Sequence, residues 1–239
     1  MGNLLLGTSG WSYPAWRGLF YPAKLPGDQM LAYYAQHFRA VEINNTFYRM
    51  PARATLEKWR ATVPASFRFT FKAPGAITHR LRLKDAAQAT RYFAELTTTA
   101  MGDCLGPVLF QLPPNQRADA TLLRDFLDIA RPLFPQVAFE FRHPSWLEPP
   151  LLDLLREYNV SLCSTESDAE RQPLHPAPAF AYLRLRKTTY SDAELEAWRG
   201  ELLGLATSGP DVYCFLKHDV DKVVSADNVL ARFARMTEG

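Results

Sequence analysis

Charged and amide side chains stand near the ends of six strand-like segments of this chain. They are Glu42, Lys72, Gln111, Glu140, Arg184 and Lys217. Two carboxylates close to an amine can divide the work of general acid and general base if their surroundings separate their pKa values. Arginine and lysine side chains bind phosphate and carboxylate groups. These residue types predict an acid–base site that binds an anion, with Glu42, Glu140 and Lys72 as the catalytic residues.

The elements that must position these residues alternate between short apolar segments and amphipathic helical stretches. This alternation is typical of a parallel α/β fold. Strands are predicted at Leu4–Thr8, Ala40–Ile43, Phe67–Lys72, Pro107–Leu112, Val137–Phe141, Val160–Ser164, Phe180–Leu185 and Val212–Lys217. Helices are predicted at Asp28–Phe38, Thr55–Arg60, Asp85–Met101, Thr121–Arg131, Pro149–Tyr158, Asp192–Thr207 and Ala226–Met236, with N-caps at Asp28, Ser191 and Ser225.

Eight strands with no break in composition predict one domain over residues 1–239, folded as a closed (β/α)8 or TIM barrel. A doubly wound sheet is the alternative, but it normally carries a G-x-G-x-x-G turn after the first strand, and Gly7–Tyr13 lacks that spacing. The segment Glu166–Ala179 contains three prolines and no helical periodicity. We therefore expect a loop over the barrel rim in place of a regular sixth helix.

Side chains of a barrel strand alternate between the interior and the surrounding helices. In the third strand, Phe67, Phe69 and Phe71 share one face, which we expect to meet the helices and so to send Lys72 inward. The same alternation sends the other five polar residues into one cavity at the C-terminal end of the barrel. Their positive charges outnumber the negative ones, so an anionic ligand is expected. A closed ion network that only supports the barrel mouth is the alternative.

Aromatic and polar residues in the loops after the strands extend the predicted site. Rings interleaved with amides and imidazoles suit a planar or sugar-like ligand. The alternative for the rings is that they pack the loops onto the barrel. The predicted ligand contacts are Trp11, Tyr13, Asn44, Tyr48, His79, Gln111, Arg142, His143, Trp146, Arg184, Lys217 and His218.

Composition and charge exclude several classes of protein. Hydrophobic residues make up 47% of the 239 residues, which excludes intrinsic disorder. A net charge of +2 argues against extended polyanion binding. No apolar run approaches the length of a membrane span, so we expect a cytoplasmic protein without a membrane partner. Cys104, Cys163 and Cys214 lack the spacing of a zinc or disulfide framework and are expected in the core.

Carboxylates and imidazoles near the strand ends offer a metal site as an alternative. Glu42, Glu140, His143, Glu166 and His218 are the residue types that bind a divalent ion. The chain has no H-x-H, H-E-x-x-H or D-x-D spacing, and nearby lysines compete for the carboxylates. We therefore predict neither a metal nor a cofactor.

Several motifs together resemble the YecE-like family, also called domain of unknown function 72. They are G-T-S-G-W-S-Y-x-x-W-x-G-x-F-Y-P at 7–22, V-E-I-N-N-T-F-Y-x-x-P at 41–51, F-x-F-x-x-K at 67–72, T-H at 78–79, F-Q-L-P-P at 110–114, E-F-R-H-P-S-W at 140–146, Y-L-R-L at 182–185 and F-L-K-H-D at 215–219. The resemblance runs from Gly7 to Asn228. It implies a TIM barrel but transfers no reaction. Arg186-Lys187 departs from the His-Gly of many relatives.

Three classes of function fit these features. The first is an enzyme, an isomerase, lyase or hydrolase, that acts on a phosphorylated or anionic sugar-like or nucleotide-like small molecule. The second is a protein that binds or processes nucleic acid through basic and aromatic residues at the mouth; its binding would weaken steeply with salt. The third is a non-catalytic ligand sensor, which turnover of any metabolite would exclude.

Overall fold

The chain forms an eight-stranded parallel sheet that curls into a nearly closed barrel, in a computed structural model that describes residues 1–175, 180–217 and 229–235. The hydrogen-bonded order of the strands is β1-β8-β7-β6-β5-β4-β3-β2. The strands are β1 Leu4–Thr8, β2 Ala40–Ile43, β3 Arg68–Lys72, β4 Leu105–Gln111, β5 Val137–Glu140, β6 Ser161–Glu166, β7 Phe180–Leu185 and β8 Asp211–Leu216. The predicted TIM barrel is confirmed.

Helices occupy most of the connections between consecutive strands, as a right-handed parallel barrel requires. They are α1 Met30–Tyr34, α2 Arg53–Thr62, α3 Ala87–Met101, α4 Ala120–Ala130, α5 Pro149–Glu157, α6 Asp192–Thr207 and α7 Val229–Arg235. The N-cap predicted at Ser191 is present at the start of α6 and forms a capping box, because Ser191 and Glu194 each hydrogen-bond the other's backbone N–H. The predicted cap at Ser225 lies outside the described residues.

The predicted N-cap at Asp28 is wrong. Asp28 lies inside a 3-10 turn at Gly27–Gln29, and α1 begins only at Met30. Pro26, with extended backbone angles, precedes that turn, and α1 begins two residues after Asp28. After Tyr34 the chain continues in tight turns. The helical periodicity therefore covers more residues than the helix itself.

The connection after β6 has no helix in its described part, residues 167–175, as the prolines predicted; residues 176–179 lie outside the description. Its chain turns back so that Arg171 forms an antiparallel bridge with Glu166. The hydroxyl of Ser164 on β6 donates to the carbonyl of Pro173 at 2.9 Å. This bridge and this hydrogen bond take the place of the contacts that a helix would make with β6.

The barrel closes between β1 and β2, which share little of the regular ladder. Gly7 lies so close to the backbone of Ala40 that a Cβ at Gly7 would stand 2.1 Å from the Ala40 carbonyl oxygen. The buried hydroxyl of Tyr34 accepts a hydrogen bond from the N–H of Thr8 at 2.8 Å and donates to the Ala40 carbonyl at 3.0 Å. The tyrosine therefore supplies hydrogen bonds that a strand ladder would otherwise make across this seam.

The alternation predicted along the strands is present. Phe67, Phe69 and Phe71 lie in the large core between the barrel and its helices. A second, smaller apolar core fills the lower barrel interior with Leu5, Ala40, Leu109, Ala138, Cys163, Phe180, Tyr182, Tyr213 and Phe215. Polar residues of the same inward face follow at the C-terminal strand ends. The interior is thus apolar below and charged at the mouth.

No helix in the described segments is long and apolar enough to cross a bilayer.

Candidate functional site

Arg184 on β7 lies at the centre of the barrel mouth and joins two carboxylates. Its Nη1 donates to Glu140 Oε2 at 2.5 Å and its Nη2 donates to Glu42 Oε2 at 2.9 Å. All three side chains are almost completely buried. Burial by itself would lower the pKa of Arg184, but the two carboxylates raise it well above its ordinary value. Arg184 is therefore a fixed cation inside the barrel.

Glu42 on β2 accepts hydrogen bonds on both carboxylate oxygens. Ser9 and Asn44 donate to Oε2 at 2.8 and 2.7 Å, and the Tyr182 hydroxyl donates to Oε1 at 2.9 Å. Burial alone would raise the pKa of Glu42, but the charge of Arg184 and these hydrogen bonds outweigh it, and the pKa is lowered. Glu42 thus stays ionised and fully coordinated.

Glu140 on β5 faces an excess of positive charge. Besides Arg184, its Oε1 accepts from Gln111 Nε2 at 2.6 Å and from Arg142 Nε at 3.2 Å, and Arg186 Nη1 lies 3.8 Å away. Burial would raise the pKa of Glu140, but the charges of Arg184, Arg142 and Arg186 lower it to about 2. This carboxyl group is also ionised at neutral pH.

Lys72 lies at the end of β3 and is a partly buried titratable group of the mouth. Its Nζ donates to Gln111 Oε1 at 2.8 Å and lies 4.4 Å from the centre of the Phe47 ring. Burial and the charge of Arg184 lower the pKa of Lys72 to about 8. Because Gln111 also donates to Glu140, its amide links the lysine to the carboxylate network.

His79 is held beside Lys72 by an unusual backbone. It lies in a π-helical turn, Ala76–Arg80. Its ring contacts the Phe47 ring edge to face, with ring centres 4.8 Å apart. Such turns are rare and often occur at functional sites. Burial and the charges of Lys72 and Arg142 lower the pKa of His79. Soon afterwards, three non-glycine residues adopt positive φ angles: Arg82 at 51°, Leu83 at 73° and Asp85 at 51°.

Trp11, Tyr13 and Asn44 line a cavity of about 800 Å³ beside the mouth. The cavity is bounded by the loops after β1 and β2 and by α1 and α2. The Tyr13 hydroxyl donates to the Ser9 carbonyl at 2.5 Å, which fixes the loop after β1. Ser9 and Asn44 belong both to this cavity and to the hydrogen bonds of Glu42. The cavity therefore adjoins the charged network.

The other predicted contact residues have different surroundings. Tyr48 is 87% exposed and, with His79, lines a shallow surface hollow between the loops after β2 and β3. The ring of His143 accepts a hydrogen bond from the N–H of Ser145 at 3.2 Å and caps the short 3-10 turn Pro144–Leu147. Lys217 follows β8 and is half-buried, and its N–H donates to the Leu185 carbonyl. His218 lies outside the described residues.

Trp146, a predicted ligand contact, is packed inside the protein. The ring is completely buried, stacks on Phe141 at 4.7 Å and donates its N–H to the Gln116 carbonyl at 2.8 Å. A side chain enclosed in this way presents no surface to a ligand, and its hydrogen bond is already made. Trp146 packs the loop after β5 onto the barrel, in agreement with the alternative interpretation of the aromatic loop residues.

The geometry bears on two predicted roles. Arg184 is predicted to bind the anion; its two terminal nitrogens donate to buried carboxylates, and its buried Nε has no hydrogen-bond partner among the described residues. Glu42 and Glu140 were expected to divide acid and base work through separated pKa values, but the pKa values of both are lowered. Sequence alternation places these residues together correctly. It does not show that they satisfy one another.

Sequence reasoning missed Ser9 and Tyr182 as partners of Glu42 and Trp59 as a wall of the cavity. Inward alternation along β7 is the signal that places Tyr182 beside Glu42. No comparable signal exists for Trp59, because a tryptophan on an amphipathic helix fits core packing equally well.

Metal-binding clusters of three or more His, Cys, Asp or Glu side chains are absent from residues 1–175, 180–217 and 229–235. Cys104, Cys163 and Cys214 are all buried free thiols, and burial raises the pKa of Cys163 and Cys214. Neither of these two is an activated nucleophile.

Two known proteins are similar to this chain in sequence. UPF0759 protein YecE from Escherichia coli (strain K12) is 30% identical over 145 residues, which cover 60% of this chain and 50% of that protein. UPF0759 protein YunF from Bacillus subtilis (strain 168) is 28% identical over 162 residues, covering 63% of this chain and 54% of that protein. The chain spans about half the length of the curated relatives it matches.

A solved structure extends the likeness to the whole chain. The crystal structure of a DUF72 family protein from Thermotoga maritima MSB8 superposes with a TM-score of 0.82 at 25% identity, covering 99% of this chain and 100% of that one. The family model described as "Protein of unknown function DUF72" matches residues 5–238. The family expected from the motifs is thus confirmed, and this chain belongs to the DUF72 family.

Proposed function

We propose that this protein is an enzyme that binds a small anionic molecule at the barrel mouth and transfers a proton through Lys72. One observation carries the proposal. Among the described residues of the mouth, four cationic side chains, Lys72, Arg142, Arg184 and Arg186, surround the two carboxylates of Glu42 and Glu140. Burial is the largest cause that lowers the pKa of Lys72 and of Arg186, and the neighbouring cations lower both pKa values further.

The anion is proposed to bind to the exposed cations, not to Arg184. The side chains of Arg142 and Arg186 are 39% and 23% exposed, whereas the Glu140 carboxylate between them is 4% exposed. Guanidinium groups with hydrogens facing solvent can bind a phosphate or carboxylate without giving up Glu140. We refer to Lys72, Arg142 and Arg186 as the cationic cluster. Arg184, Glu42 and Glu140 hold the strand ends that carry it.

Lys72 is the proposed acid–base group because its protonation changes near neutral pH. A pKa of about 8 leaves a useful fraction of neutral amine at physiological pH, and burial keeps that amine close to the ligand. Glu42 and Glu140 remain ionised and hydrogen-bonded, so they position other groups. Removal of a ligand proton by Lys72 is a first step compatible with isomerisation, elimination or hydrolysis.

Calorimetric titration at low ionic strength tests the binding step. The wild type is titrated with orthophosphate, sugar phosphates and nucleotides, alongside an Arg142→Ala/Arg186→Ala double variant. The control, Arg124→Ala/Arg156→Ala, also removes two positive charges but from exposed ion pairs on α4 and α5. The cluster variant should lose affinity by about tenfold or more, and the control by about twofold at most. If both variants lose the same affinity, net charge explains the loss and a local anion site is refuted.

Consumption of the bound ligand tests the catalytic step. Lys72→Gln is expected to abolish turnover of a ligand that the wild type converts. If the wild type returns every bound ligand unchanged, the protein is a sensor and the catalytic role of Lys72 is wrong.

Nucleic-acid binding is the second candidate, and one observation favours it. Tyr48, almost fully exposed, stands beside Arg49 and Arg80 around a hollow of about 590 Å³. An exposed ring between cations can stack a base while the cations bind phosphates. Binding of a single-stranded oligonucleotide that weakens steeply with salt and fails in Tyr48→Ala would support this candidate over the first.

A further inference from the structure

We infer that the cavity beside the barrel mouth holds the sugar ring of the anionic ligand, so that the substrate class is a sugar phosphate. This inference rests on the proposed anion site and chooses between the sugar-like and nucleotide-like ligands that the sequence left open. It concerns the cavity lined by Trp11 and Trp59, which we call the tryptophan cavity.

The tryptophan cavity has the size of a small-molecule site. Its volume of about 800 Å³ lies within the range of roughly 300–1,000 Å³ that such sites occupy. An isolated phosphate or carboxylate would leave most of it empty. A ligand that uses this cavity must therefore carry a larger group beside its anionic group.

The aromatic walls favour a sugar ring over a nucleobase. Trp11 and Trp59 meet edge to face, with ring centres 4.8 Å apart and planes at 89°. Trp59 also lies nearly parallel to Phe69, at 16°, on the barrel wall. This perpendicular pair forms no slot between parallel rings, so a base would be stacked on one side only. A single aromatic face suits the C–H surface of a sugar.

The remaining lining is rich in neutral hydrogen-bonding groups. Hydroxyl and amide side chains supply both donors and acceptors, as a polyhydroxylated ring requires. Asp28 and Lys58 contribute one negative and one positive charge, so the cavity has no net charge to match an ionic group. The neutral polar lining residues are Ser9, Ser12, Tyr13, Asn44, Asn45, Thr55 and Thr62.

Asn44 links the tryptophan cavity to the charged mouth. Its Nδ2 donates to Glu42 Oε2 at 2.7 Å, and its Oδ1 lies 3.5 Å from Arg184 Nη2. The other terminal nitrogen of Arg184 contacts Glu140, which in turn holds Arg142. The Arg184 guanidinium and the Glu140 carboxylate therefore lie between Asn44 and Arg142. On this inference, a sugar phosphate places its ring against Asn44 and its phosphate on the cationic cluster.

Calorimetric titration with four probes tests the inference: orthophosphate, D-glucose 6-phosphate, D-ribose 5-phosphate and AMP. At least one sugar phosphate should bind about tenfold or more tightly than orthophosphate and change the tryptophan fluorescence. Thr55→Phe, which fills the cavity from an exposed position on α2, should remove that gain and leave orthophosphate affinity unchanged. Trp59→Ala should do the same by removing a wall.

Glu57→Gln is the matched control, because Glu57 lies on the same helix, pairs with Arg53 and does not line the cavity. It should leave every affinity unchanged. Orthophosphate binding without any gain for the sugar phosphates would overturn this inference and leave the proposed anion site standing. Tighter binding of AMP, lost in Thr55→Phe, would assign the cavity to a nucleobase. Failure of all four probes to bind would refute both the inference and the proposed function.

Discussion

The guanidinium of Arg184 on β7 holds the carboxylate of Glu42 on β2 at 2.9 Å, although these strands are not neighbours in the barrel. The same guanidinium holds Glu140 on β5 at 2.5 Å. One buried cation therefore ties three separate strands together from inside the mouth. The groups nearest to solvent, Lys72, Arg142 and Arg186, are carried on this rigid support.

Replacing Arg184 with alanine should destabilise the protein strongly. The change leaves two buried carboxylates without their cation, and breaking a buried ion pair in this way costs about 3–5 kcal/mol. Urea denaturation at pH 7 measures the loss of unfolding free energy. Arg142 also contacts Glu140, but its side chain is partly exposed. Arg142→Ala should therefore lower the unfolding free energy by no more than about 1 kcal/mol. Equal losses for the two variants would show that Arg184 does not support the barrel.

Glu140 should make stability depend on acid pH. Its folded pKa of about 2 lies below the ordinary value of 4.5, so the folded protein favours the carboxylate. The resulting stabilisation, of roughly 3 kcal/mol, is complete above pH 4.5 and is lost as the pH falls toward 2. The difference in unfolding free energy between wild type and Glu140→Gln should therefore shrink over that range. If wild type and Glu140→Gln differ in unfolding free energy by the same amount at pH 7 and pH 3, the Glu140 carboxylate is not the source of the pH dependence.

Lys72 should react with acylating reagents at lower pH than an ordinary lysine. Only the neutral amine reacts, and burial with the charge of Arg184 lowers its pKa from 10.5 to about 8. Labelling by acetic anhydride as a function of pH, followed by peptide mass spectrometry, should give a midpoint near 8 for Lys72. A midpoint near 10 would remove the basis for its proposed acid–base role.

The barrel and the residues of its mouth followed from the sequence because alternation along strands depends only on local geometry. Phe67, Phe69 and Phe71 mark the outer face of β3, and that fixes the direction of Lys72. The contacts of Glu42 with Tyr182 and Arg184 did not follow, because they join residues 140 and 142 positions apart. Tyr182 and Arg184 meet Glu42 only once β2 and β7 lie in one barrel.

Helix boundaries and loop packing were predicted less well, for the same reason. The hydrophobic pattern around Asp28 continues through turns that are not helical. Trp146 in its loop resembles a ligand contact by type, but tertiary packing against Phe141 buries it. Residue type gives the chemistry that a side chain can do, whereas burial decides whether a ligand can reach it.

Tyr34→Phe should weaken the seam between β1 and β2. Loss of the hydroxyl leaves the buried N–H of Thr8 and carbonyl of Ala40 without this partner, at a cost of about 1–3 kcal/mol. Thermal or urea unfolding measures the effect. Tyr33→Phe, the same change one position earlier on α1, should cost less than about 0.5 kcal/mol. If the two variants are equally stable, the hydroxyl does not hold the seam.

The position of a bound anion tests the central claim most directly. Tungstate is a tetrahedral dianion, like phosphate, and its metal atom scatters X-rays strongly. Crystals grown without sulfate or phosphate and soaked in tungstate should show a peak within hydrogen-bond distance of Arg142, Arg186 and Lys72. The peak should be missing from Arg142→Ala/Arg186→Ala crystals and present in Arg124→Ala/Arg156→Ala crystals. An empty barrel mouth in wild-type crystals, with tungstate bound only elsewhere, would contradict the account.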